Sequence, residues 1–265
     1  MNLKGKRVLI TGGSSGIGLA TAQAMLEAGA RAFVTGRRPD FVAAAVDQLR
    51  ASGGDVYGVA ADVATGVGRT ATLGTALDKL GGLDILVNNA GGVRAGRLED
   101  TSEAEITTMI AVDLVAPILL TRAALPALRA SGAGLVVNVT SGIALFGVPF
   151  YATYAAAKAG LARFGEALRR ELKGEGVHVL TVYTDTPMMK SNRAGPELGF
   201  GREPASAVAN AIIAGIETDA FEVTRGGAER EKMIALNRED PAAIDQRFLG
   251  IKPALAEAVR DHSAL

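Results

Sequence analysis

Short apolar runs without in–out alternation recur along the chain, separated by longer stretches in which apolar residues return every three or four positions. The runs are RVLIT (7–11), RAFVT (31–35), DVYGVA (55–60), DILVN (84–88), GLVVNVT (134–140), VHVLTVY (177–183) and FEVTR (221–225). A strand covered on one face alternates, whereas a strand covered on both reads as a continuous apolar run. The stretches between them predict helices near 16–28, 40–51, 67–80, 102–130, 151–173, 204–217 and 229–262. Strands and helices alternating in this way predict an α/β fold built on a parallel sheet.

No linker divides two cores and no segment repeats, so residues 1–227 read as one domain and 228–265 as a helical extension of it. The extension is amphipathic (EREKMIALNRED, KPALAEAVRDH) and is expected to dock on the domain or on a partner subunit. The stretch SNRAGPELGFGREP (191–204) is rich in Gly and Pro and reads as a mobile loop, giving a lid over 188–203.

Composition narrows the function classes. Hydrophobic residues make up 48% of the 265 positions, enough for a sizeable core, and 28 basic residues balance 28 acidic ones. Without a basic tail or a basic run interleaved with aromatics, a nucleic-acid partner is not expected. With no cysteine, thiol chemistry and disulfides are excluded, and a cytoplasmic protein is the expectation. The apolar run in MNLKGKRVLITGG is too short for a signal peptide or a membrane span, so no membrane role is expected. His178 and His262, two histidines in all, suggest no metal site.

After the first predicted strand, TGGSSGIGLATAQAMLEAGA (11–30) spaces Gly12, Gly16 and Gly18 as G-x-x-x-G-x-G ahead of an alanine-rich helix. Glycines here allow a tight turn, close approach of backbone to a pyrophosphate, and close helix–strand packing. The helix N-terminus supplies free N–H groups and a favourable dipole for the phosphates. No Lys follows the glycines, which removes the P-loop reading. Cofactor choice is made at the end of the second strand, where an acid would bind the ribose diol of NAD. This chain offers Arg37 and Arg38 there, and guanidinium pairs bidentately with phosphate, so NADP(H) is preferred over NAD(H). Asp40, the only nearby acid, follows Pro39 and is expected in the first turn of the next helix.

TGGSSGIG (11–18), ADV (61–63), NNAG (88–91), NVTS (138–141) and YAAAK (154–158) resemble, in order and spacing, the motifs of the short-chain dehydrogenase/reductase family. The resemblance covers about residue 4 to about residue 225. It implies a doubly wound, seven-stranded, Rossmann-like parallel sheet with helices on both faces, and hydride transfer between NAD(P) and a carbonyl/alcohol pair. Gly12, Ser14, Ser15, Gly16, Ile17 and Gly18 would line the phosphates and Asp62 and Val63 would flank the adenine. Asn88, Asn89, Ala90 and Gly91 would support the central strand and cofactor, with Thr186 at the nicotinamide. Ser141, Tyr154 and Lys158 would carry the chemistry, Lys158 also reaching the nicotinamide ribose. A homo-oligomer, dimer or tetramer, is implied as well, formed through the two long helices.

The chemistry agrees with elementary electrostatics. A phenol with a pKa of about 10 is a poor base at neutral pH. Lowering it to about 7 takes roughly 4 kcal/mol, which one cation at about 4 Å supplies at an effective dielectric of 20, while desolvation opposes. Two tyrosines compete for the role: Tyr151–Lys158 has the Y-x6-K spacing of divergent enoyl-thioester reductases, and Tyr154–Lys158 the Y-x3-K spacing of the carbonyl enzymes. The intact TGxxxGIG and NNAG motifs and the interval from Ser141 select Tyr154. Tyr151 then lines the substrate pocket with Ser141, Ile143, Phe146 and Met188, an apolar wall that suits a moderately hydrophobic carbonyl compound.

Two departures stand out. Asp113 occupies the position at which the resembled family usually has Asn, whose backbone carbonyl holds a relay water; the carboxylate adds a charge beside the chemistry. No Pro-Gly separates Tyr183 from Thr184, so the loop that carries Thr186 is shortened. These departures motivate an alternative: a dinucleotide-binding protein with little turnover that acts through association.

Overall fold

The computed structural model describes residues 1–184 and 203–265. In chain order the elements are β1 (Arg7–Thr11), α1 (Gly16–Glu27), β2 (Arg31–Gly36), α2 (Pro39–Ala51), β3 (Val56–Ala60), α3 (Gly66–Leu80), β4 (Ile85–Asn88), α4 (Glu103–Ile110) and α5 (Ala116–Ala130). They are followed by β5 (Gly134–Ser141), α6 (Ala152–Glu171), β6 (Val177–Thr184), α7 (Ala205–Glu217), β7 (Glu222–Thr224), α8 (Gly227–Glu239) and α9 (Pro241–Val259). The strands form one seven-stranded parallel sheet in the order β3-β2-β1-β4-β5-β6-β7.

Successive strand residues point to opposite faces, and here both faces are apolar. Val8, Ile10, Val34, Val87 and Val137 pack under α1, α2 and α7, whereas Leu9, Phe33, Leu86 and Val136 pack under α3, α5 and α6. Two cores back to back explain why the strands read as unbroken apolar runs. The strand order reverses between β1 and β4, whose residues pair from Val8↔Ile85 to Ile10↔Val87. In open α/β sheets that reversal opens a crevice at the carboxyl ends of the strands, where ligands bind.

Two helices predicted as continuous are interrupted. The 102–130 segment is α4, a π turn over Ala111–Val115, and α5. Pro117 has no N–H, so the Asp113 carbonyl lacks the donor that a regular helix would give it four residues on. The chain widens there, with Ala116 N–H reaching back five residues to the Ala111 carbonyl. The 229–262 segment is α8 and α9, broken at Asp240, whose side chain caps α9 by accepting from Ala243 N–H at 3.0 Å, with Pro241 in the first turn. This pair docks on the loop after β5, where Met233, Ile244 and Phe248 bury Phe146.

Candidate active site

The turn from β1 to α1 is built by contacts that admit only glycine. Gly12 has φ +65°, and a Cβ on it would lie 2.9 Å from the Ala90 Cα. A Cβ on Gly18 would lie 2.2 Å from the Gly12 carbonyl oxygen. Asn89 fastens this loop to the end of β4, its side-chain amide donating to the carbonyls of Thr11 (2.9 Å) and Gly12 (3.2 Å). The Thr11 hydroxyl oxygen accepts from both Asn89 and Ala90 N–H at 3.0 Å. By contrast, a Cβ on Gly16 (φ +55°) would meet no atom within 4 Å, and Ser15, which caps α1, makes no side-chain cap bond. The α1 N-terminus therefore faces open space with its first-turn N–H groups uncommitted to a cap, a cradle that fits a dinucleotide pyrophosphate.

At the neighbouring strand end, β2 closes on Gly36, where a Cβ would lie 2.5 Å from the Ser14 hydroxyl. Arg37 and Arg38 follow, both exposed, with the Arg38 guanidinium 3.4 Å above the Phe41 ring centroid. Asp40 lies in the first turn of α2. After β3, the Asp62 carboxylate accepts from Ala64 N–H at 2.9 Å and shapes the turn in which Val63 is buried.

The candidate catalytic groups lie at the carboxyl end of β5 and on α6. Ser141 is the last residue of β5, and its hydroxyl acts on Tyr154, which enters from the first turn of α6, in the sense that favours the phenolate. One helical turn on, the Lys158 ammonium lies 5.7 Å from the Tyr154 ring centroid and donates to the Val139 carbonyl at 3.3 Å. It pairs with Asp113 Oδ1 at 3.0 Å, both side chains buried. Asp113 Oδ2 accepts from Gly92 N–H at 3.2 Å. Beneath them the buried Asn88 amide bridges Thr121 and Asn138, both at 2.9 Å, and ties β4 to β5 and α5.

Burial and charge act in opposite senses in this cluster. Burial raises the Tyr154 pKa, the Lys158 charge lowers it, and Asp113 raises it again, so it lies above the ordinary phenol value. Burial works against the Lys158 charge, but Asp113 and Tyr154 together hold that group above its ordinary value. Asp113 is itself raised by burial, which outweighs the help of Lys158.

The second tyrosine is bonded to a different partner. Tyr151 caps the start of α6, its ring 6.4 Å from that of Tyr154, and its hydroxyl is hydrogen-bonded to His262 Nδ1 at 2.9 Å. Before it, Phe150 adopts φ +72°, a costly conformation for a bulky residue, and its carbonyl accepts from Gly96 N–H. Ile143 packs with Tyr154, and Phe146 joins the wall made by α8 and α9. Arg230 of α8 stands against Gly142 and 5.5 Å from the Phe146 ring centroid, with burial lowering its pKa to about 10. Thr186 and Met188, most of the lid and the shortened turn beyond Thr184 lie outside the described residues.

Sequence reasoning missed Thr11, Asn138, Arg230 and His262. Thr11 and Asn138 were visible as polar residues inside apolar runs, a pattern that needs buried partners. His262 carried no such signal, since its partner is 111 positions away.

Comparison with known proteins agrees with this fold. The family model for short chain dehydrogenase matches residues 6–197. The ketoacyl reductase HetN of Nostoc sp. is 31% identical over 260 residues, spanning 94% of this chain and 91% of its own. A short chain dehydrogenase/reductase from Burkholderia phymatum, solved in complex with NAD, superposes with a TM-score of 0.81 at 25% identity, covering 91% of this chain and 95% of that one. A short chain dehydrogenase from Burkholderia cenocepacia, solved with NADP, gives 0.78 at 31% identity, covering 86% and 100%.

Proposed function

The chain belongs to the short-chain dehydrogenase/reductase family and is an NAD(P)-dependent oxidoreductase, and we propose that it reduces a moderately hydrophobic ketone or aldehyde, prefers NADPH, and uses Tyr154 as proton donor. The observation that carries this reading is the Lys158 ammonium, 5.7 Å from the buried Tyr154 ring centroid and paired with Asp113 at 3.0 Å, at the end of the strand that carries Ser141. The glycine turn would hold a reduced nicotinamide dinucleotide, whose chemistry would be hydride donation to the carbonyl carbon. Gly12, Gly16 and Gly18 would hold its pyrophosphate, Arg37 and Arg38 its 2′-phosphate, and Lys158 its ribose.

The chain's own groups handle the oxygen. Ser141 orients the carbonyl, and Tyr154 gives its proton to the alkoxide as negative charge develops there. Lys158 stabilises the phenolate left behind. The Asp113 carbonyl, deprived of its helical donor by Pro117, is an acceptor for a relay water that refills the proton.

Asp113 also biases the direction. A lysine charge about 4 Å from a phenolate favours it by about 4 kcal/mol at an effective dielectric of 20, and a counter-charge at about 7 Å takes back roughly 2.4 kcal/mol. Wherever the shared proton sits, the Lys158–Asp113 unit is near neutral. Tyr154 therefore stays protonated at neutral pH, which suits a donor for reduction and hinders its service as a base for oxidation.

The working state on this reading is a cytoplasmic homo-oligomer, dimer or tetramer, associating through α5 and α6. Its support is the family resemblance and the apolar character of Glu103–Ala130, whose most apolar 18-residue stretch has a mean hydropathy of 1.7. The reductase reading is tested by following absorbance of the reduced nicotinamide with a panel of aryl and aliphatic ketones, NADPH against NADH. Turnover with NADPH faster than with NADH is expected. Tight NADPH binding with no oxidation across the panel would favour the alternative, a dinucleotide-responsive binding protein.

A further inference from the structure

Beyond α9 the chain does not leave the molecule but returns to its reactive centre. Ser263 forms an antiparallel bridge with Arg94: Ala95 N–H donates to the His262 carbonyl at 2.9 Å, and Ala264 N–H donates to the Val93 carbonyl at 2.7 Å. The strand edge so paired is the loop that runs on directly from Asn88, Asn89, Ala90 and Gly91. His262 is buried, with its ring edge against Tyr151 at a centroid distance of 5.6 Å and Nδ1 bonded to the tyrosine hydroxyl. Held at both points, Ala264 and Leu265 pack into the cluster formed by Val93, Met109, Tyr154 and Ile143.

Leu265 lies close enough to the chemistry to matter for selectivity. A Cβ on Gly92 would be 3.1 Å from Leu265 Cδ2, and the Gly92 N–H is the donor to Asp113. Tyr154 is left with 9% of its surface exposed. Leu265 thus shares a cluster with the Tyr154 ring and with Ile143, which follows Ser141 by two residues. Leu265 itself is only partly buried, so it keeps surface to offer a ligand. The segment spends two backbone hydrogen bonds and a Tyr–His bond on reaching this place, more than an untethered tail would need to stay out of water.

We propose that residues 262–265 form a wall of the substrate pocket, with the Tyr151–His262 bond as its clasp and Leu265 as the residue that sets substrate width. The proposal deepens the reductase reading and rests on it for the kind of substrate. Apolar pockets discriminate by size at roughly tenfold or more per methylene-sized change. Leu265→Ala opens the wall and Leu265→Phe narrows it, so the two variants move selectivity in opposite directions.

The test uses the full chain and acetophenone with wider naphthyl and ring-substituted analogues. kcat/KM is measured with NADPH. Affinity is measured by calorimetric titration into protein saturated with oxidised dinucleotide, where no turnover occurs. Leu265→Ala is expected to improve the wide ketones relative to acetophenone by about tenfold in both measures, and Leu265→Phe to worsen them, with dinucleotide affinity unchanged. Variants that keep the wild-type profile, that change all ketones equally, or that leave a protein binding none of them would overturn the proposal. A wild type that reduces none of the ketones while the binding profiles still shift would remove the reductase reading and leave the wall standing. Normal turnover without a shift would do the reverse.

Discussion

Asp113 lies 3.0 Å from the Lys158 ammonium inside the π turn, and nothing in its position exposes it to water. An Asn in the same place would keep the size and the Gly92 contact but would lose the countercharge. Asp113→Asn is therefore expected to lower the Tyr154 pKa and to raise alcohol oxidation at pH 7 by roughly tenfold. The alkaline fall in ketone reduction should move to lower pH at the same time. pH profiles of kcat in both directions check this, and profiles that coincide with the wild type would mean that Asp113 does not act on Tyr154. At this scale the family resemblance was informative: the structure places Tyr154, Lys158 and Asp113 together at the end of β5, which carries Ser141. What spacing could not give is the sign of the balance, because burial opposes charge at three of the four groups.

Among the elements, the β1–α1 turn is the most tightly specified. Gly18→Ala would force a Cβ to 2.2 Å from the Gly12 carbonyl, pushing α1 away from the Asn89 staple. It is expected to cost about 1–3 kcal/mol in stability and at least tenfold in dinucleotide affinity. Gly16→Ala meets no neighbour and should cost about 1 kcal/mol through its left-handed φ alone. Thermal melting and titration of both variants with NADPH separate steric packing from backbone strain. Equal losses in the two would contradict the description of the turn. The central strands were legible because they are buried on both faces, which leaves an uninterrupted apolar run, whereas the edge strands β3 and β7 keep exposed positions and were marked by their β-branched residues. The π turn was not legible as such: Pro117 announced a disturbance, but whether a helix kinks, ends or widens depends on how Asp113 and its neighbours pack.

For the whole molecule, the α8–α9 pair and the returning segment turn a two-faced sheet into a site with a third side. Amphipathic periodicity predicted that the tail would dock; it could not predict where, since the contacts with Tyr151, Phe146 and Val93 link positions more than 80 residues apart. The clasp makes stability depend on pH. Burial, aided by Arg94, lowers the His262 pKa from 6.5 to about 4, so between these values the unfolded chain binds more protons than the folded one. The stabilisation from neutral, buried His262 is thus fully present above pH 6.5 and is lost as pH falls toward 4. Tyr151, its hydrogen-bond partner, is itself raised by burial and stays neutral over that range. The melting temperature of the wild type should fall across this window more steeply than that of His262→Gln. Parallel curves would exclude His262 as the source.

The central claim is that the Tyr154 hydroxyl delivers the proton to the substrate oxygen. It is tested most directly by comparing kcat for ketone reduction by Tyr154→Phe with that of the wild type, alongside the NADPH dissociation constant of each. The account predicts a loss of about 10²–10⁴ in kcat with NADPH affinity preserved. Full activity in Tyr154→Phe, or a loss of that size in Tyr151→Phe instead, would contradict it.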